Sequence, residues 1–300
     1  MRIETLLRRH QAFKETTRLH KGNRVSRAYA GVMASLTGLR IFLNYKLFRP
    51  SLPEALPDDG GTVLSMTSFP PRIKHLWMVI DLLMRQETKP ACINLCLYEG
   101  DFPDRKLPGS LAPYLERGLR IIWAGEDLKP HLKYHCTFKE EAEGRRRPVI
   151  TVDDDLFYPT DMTTRLMKLH GQYPSAVCAN IAKRIKGPMY NGWEIETQAH
   201  SPDPELLALG FGAVLYPSSF YCSECIFNLD AIRETCLKAD DLWLKRCENL
   251  TGTGVATGGF MAVPPELPSS QKISLSSSNV ALGRNDIAWA ALERYDQTRK

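Results

Sequence analysis

The sequence predicts an α/β protein whose sheet is mainly parallel and carries helices on both faces. Three observations point there. Five short apolar, β-compatible runs lie between residues 62 and 181. Helical patterns separate them, which is the signature of βαβ units. The composition, 43% apolar and 24% charged over 300 residues, is that of an ordinary globular chain, which excludes disordered, collagenous and disulfide-framework classes.

The elements follow in order. Residues 1–49 hold eleven Lys/Arg against Glu4 and Glu15, a net of +9, while the rest of the chain is −4. Such a one-segment excess argues against a nucleic-acid-binding core, which spreads Lys/Arg over a docking face. Ala28–Leu39 is uncharged and continues as IFLNYKLF after Arg40. It is too short and interrupted to span a bilayer. Two readings remain open: a helix lying in the interface of an anionic membrane, or a helix pair packed on the core. No apolar leader follows Met1-Arg2, so no secretory signal is expected. Cys92, Cys96 and Cys178 fall in apolar runs, where thiols act as small hydrophobes; a reduced, cytosolic compartment is expected.

Pro50, Pro53, Pro57 and the Asp58–Gly61 turn mark a boundary. Residues 1–58 are therefore read as a basic N-terminal arm and 59–300 as the main domain. Thr62–Ser68 is the first strand. After Pro70-Pro71, the residues Ile73, Leu76, Trp77, Ile80, Leu83 and Met84 recur with helical spacing. Ala91–Tyr98 is the second strand, Leu111–Arg117 a short helix closed by Gly118, and Leu119–Trp123 the third strand. His131–Glu143 reads as a polar helix, Pro148–Val152 as the fourth strand, Met162–His170 as a helix and Ser175–Ile181 as the fifth strand. Beyond residue 185 the alternation fades. Gly210–Pro217 reads as a glycine-started strand, 228–250 as helical, 251–283 as loop with a Ser274–Ser278 tract, and 287–295 as a helix.

Ligands in such sheets bind beyond the carboxyl ends of the strands. That places Thr67-Ser68 and Asp153-Asp154-Asp155 in one crevice. Three adjacent carboxylates raise one another's pKa or recruit a cation, and Mg²⁺ or Mn²⁺ takes carboxylate oxygens together with substrate phosphates. In an extended segment Asp153 and Asp155 share one side and Asp154 points opposite, a D-x-D arrangement. His131 and His135 have zinc-like i, i+4 spacing without the Glu of a metalloprotease and are read as surface histidines. Cys222-x-x-Cys225 lacks a second close pair among Cys236 and Cys247, so zinc is not favoured.

SMTSFPPRI at 65–73, DLKPHLKY at 127–134, ITVDDDLFYP at 150–159 and DDLWLK at 240–245 together resemble bacterial glycosyltransferases of the GT-A fold, distant relatives of the family 2 transferases. The resemblance covers about residues 62–290. It implies a Rossmann-like nucleotide-sugar half at 59–185, ending in the D-x-D strand, and an acceptor half at 186–300. It implies transfer of a sugar from a nucleotide-sugar donor to a saccharide or glycolipid acceptor with Mn²⁺ or Mg²⁺. Such a role fits surface polysaccharide or lipooligosaccharide synthesis at the cytoplasmic face of a membrane. Asp155 is then the expected direct metal ligand, Asp153 a ribose or metal ligand, and Asp154 part of the donor site. Thr67 and Ser68 would meet the nucleotide, Arg72 a phosphate or the base, and Lys129 or, preferably, Lys133 the diphosphate or sugar. Arg284 would meet the diphosphate from a late loop. Asp241 would be the base on the acceptor hydroxyl, kept ionised by the helix start, with Asp240 as the helix cap. A metal-dependent nucleotidyltransferase and a catalytically silent membrane-docking module are the alternatives.

Overall fold

The computed structural model describes residues 3–19, 24–59, 61–259, 262–268 and 283–298; at 14–19, 24–28, 30, 31 and 34 only the helical backbone is described. The Ser274–Ser278 tract and most of the 251–283 stretch beyond Leu267 lie outside these residues.

The strands are β1 (Val63–Thr67), β2 (Cys92–Tyr98), β3 (Leu119–Ala124), β4 (Val149–Thr151), β5 (Val177–Ala179), β6 (Ala182–Arg184), β7 (Glu194–Ile195), β8 (Ala199–Asp203), β9 (Leu206–Ala208), β10 (Val214–Tyr216) and β11 (Val255–Gly258). The helices are α1 (Ile3–Leu19), α2 (Arg24–Phe48), α3 (Pro70–Ile73), α4 (Leu76–Leu83), α5 (Ala112–Leu115), α6 (Leu132–Glu143), α7 (Met162–Gln172), α8 (Ser218–Tyr221), α9 (Leu229–Thr235), α10 (Asp240–Thr251) and α11 (Arg284–Gln297).

Eight strands form one sheet in the order β3-β2-β1-β4-β10-β5-β11-β8. β3, β2, β1 and β4 run parallel, β5 and β11 run parallel, and β10 and β8 are antiparallel to their neighbours. The class is thus the α/β, mainly parallel one that the sequence predicts. β6, β7 and β9 make a small antiparallel sheet in the order β7-β6-β9. The period of two along each strand sends alternate side chains to opposite faces. Leu64, Met66, Ile150 and Leu215 join one core with Ile41, Tyr45 and Met78. Val149, Val214 and Tyr216 join the other with Tyr134, Phe138 and Trp243.

Several expectations need correction. The single helix expected over 70–84 is broken at Lys74–His75, so Arg72 sits on its own short turn while α4 buries all its residues. The 228–250 stretch is two helices separated at Cys236–Ala239. The expected 251–283 loop contains β11, which pairs with β5 inside the sheet; its Gly- and Thr-rich sequence hides it. The strand expected from Gly210 begins at Val214, after a 3₁₀ turn over Gly210–Gly212.

Within the N-terminal arm α1 and α2 pair, and Leu6, Leu7, Ile41 and Tyr45 enter the core. Tyr45 donates its hydroxyl to buried Asp81 at 2.9 Å, as Tyr114 does at 3.2 Å, and Arg85 Nε donates at 2.8 Å. The anchoring is therefore apolar contact plus a satisfied buried carboxylate.

Gly38 marks the tightest contact of α2. A Cβ there would stand 2.4 Å from the Glu266 carbonyl oxygen, a backbone atom that cannot swing away. Gly38→Ala should therefore lower stability by about 1–3 kcal/mol, read in urea unfolding, despite alanine's better helix propensity. A gain in stability would show that α2 does not press on this segment.

Candidate active site

A cleft of about 700 Å³ opens beyond the carboxyl ends of β1 and β4 and extends to the start of α10. Thr67, Ser68, Arg72, Lys129, Lys133, Asp153, Asp154, Asp155 and Asp241 all line it. Arg284 does not; it is exposed at the start of α11, and its neighbour Asn285 reaches the cleft instead.

β4 ends at Thr151, and Asp154-Asp155 occupy a turn rather than extended chain. The expected sidedness therefore fails: all three carboxylates face the cleft. Asp154 is the most buried, taking a hydrogen bond from Ser68 Oγ at 2.6 Å and one from Arg72 Nη1 at 2.8 Å. Burial pushes its carboxyl up, against the pull of Arg72. Arg72 also lies 3.0 Å from Asp155 Oδ2, so in this state the guanidinium is engaged with the aspartate turn. The turn is pinned by backbone bonds: Tyr158 Oη accepts from Asp153 N at 2.9 Å, and Leu267 N donates to Asp155 O at 2.7 Å. Thr67 is less committed, donating to the Cys96 carbonyl at 2.8 Å.

Lys133 comes from the first turn of α6. Its backbone carbonyl accepts from Ser65 Oγ at 2.7 Å. Its ammonium lies 2.5 Å from Asp153 Oδ1 and 3.3 Å from Asp240 Oδ2. Burial disfavours the charge, yet Asp153, Asp240 and Asp241 together hold Lys133 well above the usual lysine range. Lys129, by contrast, pairs with Asp127 at the exposed rim.

The two aspartates of α10 differ from expectation. Ala239 is the N-cap and no side chain caps the helix, so Asp240 is an ion-pair partner of Lys133. Burial opposes its ionisation, and Lys133 and His131 overcome that and pull its pKa down. Asp241 accepts from Gly210 N at 3.0 Å. Burial, then the neighbouring Asp240 charge, push it well above the carboxylate range; the helix start does not dominate. Gly210 was not foreseen as a site residue. A Cβ there would lie 2.9 Å from Asp241 Oδ1 and 3.0 Å from Lys133 Nζ, so any side chain would displace these two groups. The only sequence signal was the Gly-Phe-Gly run itself.

The histidines are corrected too. His131 is fully buried, bonded to Tyr134 Oη at 2.8 Å and the Cys236 carbonyl at 3.0 Å, because α6 packs into the core beside α9. His135 is half-buried against the Phe227 ring.

Among the described residues no three His, Cys, Asp or Glu side chains cluster closely enough to hold a metal by themselves. The donor set still suits a hard cation that substrate completes, since Mg²⁺ is commonly held by one or two carboxylates plus phosphate oxygens. Asp153 and Asp155 present those carboxylates to the cleft.

No protein-family model matches the chain, and no curated protein matches it. Among solved structures it is similar to S. aureus TarS 1-349, at 15% identity and TM-score 0.44, covering 67% of this chain and 58% of that one. It is similar to TarS 1-349 in complex with UDP-GlcNAc, at 12% identity and TM-score 0.44, covering 67% and 56%. It is also similar to the mannosyltransferase PcManGT from Pyrobaculum calidifontis in complex with GDP-Man and Mn²⁺, at 10% identity and TM-score 0.39, covering 100% and 88%. The chain thus spans under two thirds of the length of TarS 1-349. At TM-scores of 0.39–0.44 the likeness is distant, so the chemistry below is drawn from the cleft alone.

The raised pKa of Asp241 has a consequence for stability. The folded protein keeps a proton that the unfolded chain releases near the ordinary Asp value of about 3.9. Native Asp241 therefore weakens the fold progressively as pH rises from there through its folded pKa. Asp241→Asn should remove this and unfold at higher urea than the parent at neutral pH, the two converging in acid. A less stable variant at neutral pH would contradict this assignment.

Proposed function

We propose that the chain is a divalent-metal glycosyltransferase that moves a sugar from a nucleoside-diphosphate sugar to a hydroxyl of a saccharide or glycolipid. The observation that carries this is the convergence of five carboxylates (Asp153, Asp154, Asp155, Asp240 and Asp241) on one cleft with two cations, Arg72 and Lys133, set among them. So acidic a site repels a bare diphosphate and favours one carried with a cation. Asp241 meanwhile stands apart from the aspartate turn, on another element.

Mn²⁺ or Mg²⁺, held by Asp153 and Asp155, would supply neutralising charge to the departing diphosphate. The remaining steps belong to the chain. Thr67 and Ser68, at the end of β1, flank the place for the nucleotide. Arg72 and Lys133 add positive charge beside the phosphates, and Lys133 fixes Asp153 against Asp240. Lys129 stands at the rim. Asp241 accepts the acceptor's hydroxyl proton while that oxygen bonds to the anomeric carbon. The bond from that carbon to the diphosphate oxygen breaks and its electron pair leaves with the nucleotide. A pKa raised by burial suits a general base, because it brings the group's basicity closer to working pH. The Gly210 N–H holds the carboxylate in place while leaving its second oxygen for the proton.

Two measurements test this. Calorimetry with UDP or GDP should show binding with Mn²⁺ that is lost in EDTA and in Asp155→Ala; equal affinity in both conditions would contradict the site. With a donor that turns over, Asp241→Asn should bind donor normally and transfer roughly 100-fold more slowly or worse. Asp240→Asn, expected from sequence to be mild, should also be impaired because it loosens Lys133. Full activity in both would place the base elsewhere.

We also infer that the protein docks peripherally on an anionic membrane, at the cytoplasmic face, where a glycolipid acceptor would lie. No helix among the described residues is long and apolar enough to cross a membrane. α2, however, has two apolar faces. Ile41 and Tyr45 point inward, while Tyr29, Val32, Leu36, Leu39, Leu43 and Leu47 are 40–71% exposed at spacings that make one outward stripe of about 27 Å. Arg40 and Lys46 are exposed beside it. Apolar stripe and basic flank are the pattern of an interfacial helix. Vesicles containing phosphatidylserine should therefore bind the protein, and binding should fall steeply with salt and in Leu36→Asp/Leu43→Asp. Equal binding to neutral vesicles, or none, would contradict this inference.

A further inference from the structure

A second cavity of about 450 Å³ lies between α7 and the ends of β5, β8 and β11. One face of α7 supplies Arg165, Lys168 and Gln172, β5 is followed by Asn180, β8 supplies His200, and Gly258-Gly259 line the end of β11. β5 and β11 pair in parallel, so the cavity opens at strand carboxyl ends, where sheets of this class bind ligands. β10 stands between β4 and β5 and separates this cavity's strands from those of the acidic cleft.

Three features describe what it would take. First, Asn180 is 6% exposed and its backbone N–H donates to Ala213 O at 3.3 Å, yet its side-chain Nδ2 has no hydrogen-bond partner among the described residues. An amide buried unpaired forfeits the hydrogen bonds it made to water, and an acceptor atom in the cavity restores one when the side chain turns toward it. Second, the described lining carries Arg165, Lys168 and His200 but no Asp or Glu, the reverse of the main cleft. Arg165 is partly spent on Asp161 at 2.7 Å and His200 lies 3.1 Å from Glu196, which leaves Lys168 as the principal cation. Third, a Cβ at Gly258 would meet nothing within 4 Å, so the wall there is open space, and the volume exceeds that of a lone ion.

We propose that this cavity binds an anionic saccharide unit, its phosphate or carboxylate oxygens accepting from Asn180 Nδ2 and the Lys168 ammonium. That the unit belongs to the transfer acceptor rests on the glycosyltransferase reading; the binding itself does not. A charge-assisted bond from lysine together with a buried amide donor discriminates a charged sugar from a neutral one.

The test is an NMR titration of the full chain in EDTA with inorganic phosphate, glucuronate and glucose. Phosphate or glucuronate should shift the Asn180 side-chain amide resonance, and glucose should not. The two anions distinguish a phosphorylated from a carboxylated unit. Lys168→Glu, a change on an exposed residue, should weaken binding at least about tenfold while UDP binding with Mn²⁺ in the main cleft is retained. Asn180→Leu should lose binding without losing stability, because it removes an unpaired buried amide. The proposal is overturned if neither anion moves the Asn180 signal, if glucose binds as well as glucuronate, or if both variants bind like the parent. Failure of the transferase reading would appear separately, as loss of metal-dependent nucleotide binding.

Discussion

The structure depends on one buried ammonium. Lys133 Nζ sits between Asp153, which follows β4, and Asp240, at the start of α10, and so ties the first half of the chain to the second. Desolvating each ion costs several kcal/mol, repaid only where geometry and further hydrogen bonds are good. Here the ammonium has two carboxylates in reach and Asp241 close by. With Lys133 in place Asp240 remains ionised, and that charge is, after burial, the largest cause that lifts Asp241. The same lysine thus sets the position of one carboxylate and the basicity of another.

A second chain of contacts runs from the N-terminal helices to the aspartate turn. His10 bonds the Val263 carbonyl at 2.9 Å, Gln11 Oε1 accepts from Ala262 N at 3.0 Å, and Gly38 admits Glu266 against α2. That segment bridges to Leu156, gives Leu267 N to Asp155 O, and lends Val263 and Glu266 to the cleft wall. A surface that holds α2 would therefore bear on a wall of the site. The path of contacts from α2 to the aspartate turn is continuous.

Much of this was legible in the sequence. β1, β2, β4 and β5 are buried on both faces, and the edge strand β3 is half-buried but apolar at Ile121–Trp123, so each reads as an apolar run bounded by turn residues. The aspartates stood out because charge directly after such a run is unusual. What the sequence hid has physical causes. Alternation describes extended chain, so it could not show that Asp154-Asp155 turn and bring all three carboxylates to one side. Asp240 resembles a cap by type, but its partner lies more than a hundred residues away, on α6. Gly210 acts by lacking a side chain, and Asn180 by lacking a partner, neither of which is visible without neighbours. β6 to β9 and β11 are only two to five residues long, too short for a period to emerge.

The most direct test is to identify the small-molecule product when the purified protein is incubated with Mn²⁺ and either UDP-, GDP-, CMP- or dTDP-sugars or, in parallel, nucleoside triphosphates with sugar 1-phosphates. The account predicts slow, EDTA-sensitive release of free sugar and intact nucleoside diphosphate from a diphosphate-linked donor, accelerated by a saccharide or glycolipid acceptor. Release of pyrophosphate from a nucleoside triphosphate instead, or no turnover of any donor, would contradict it.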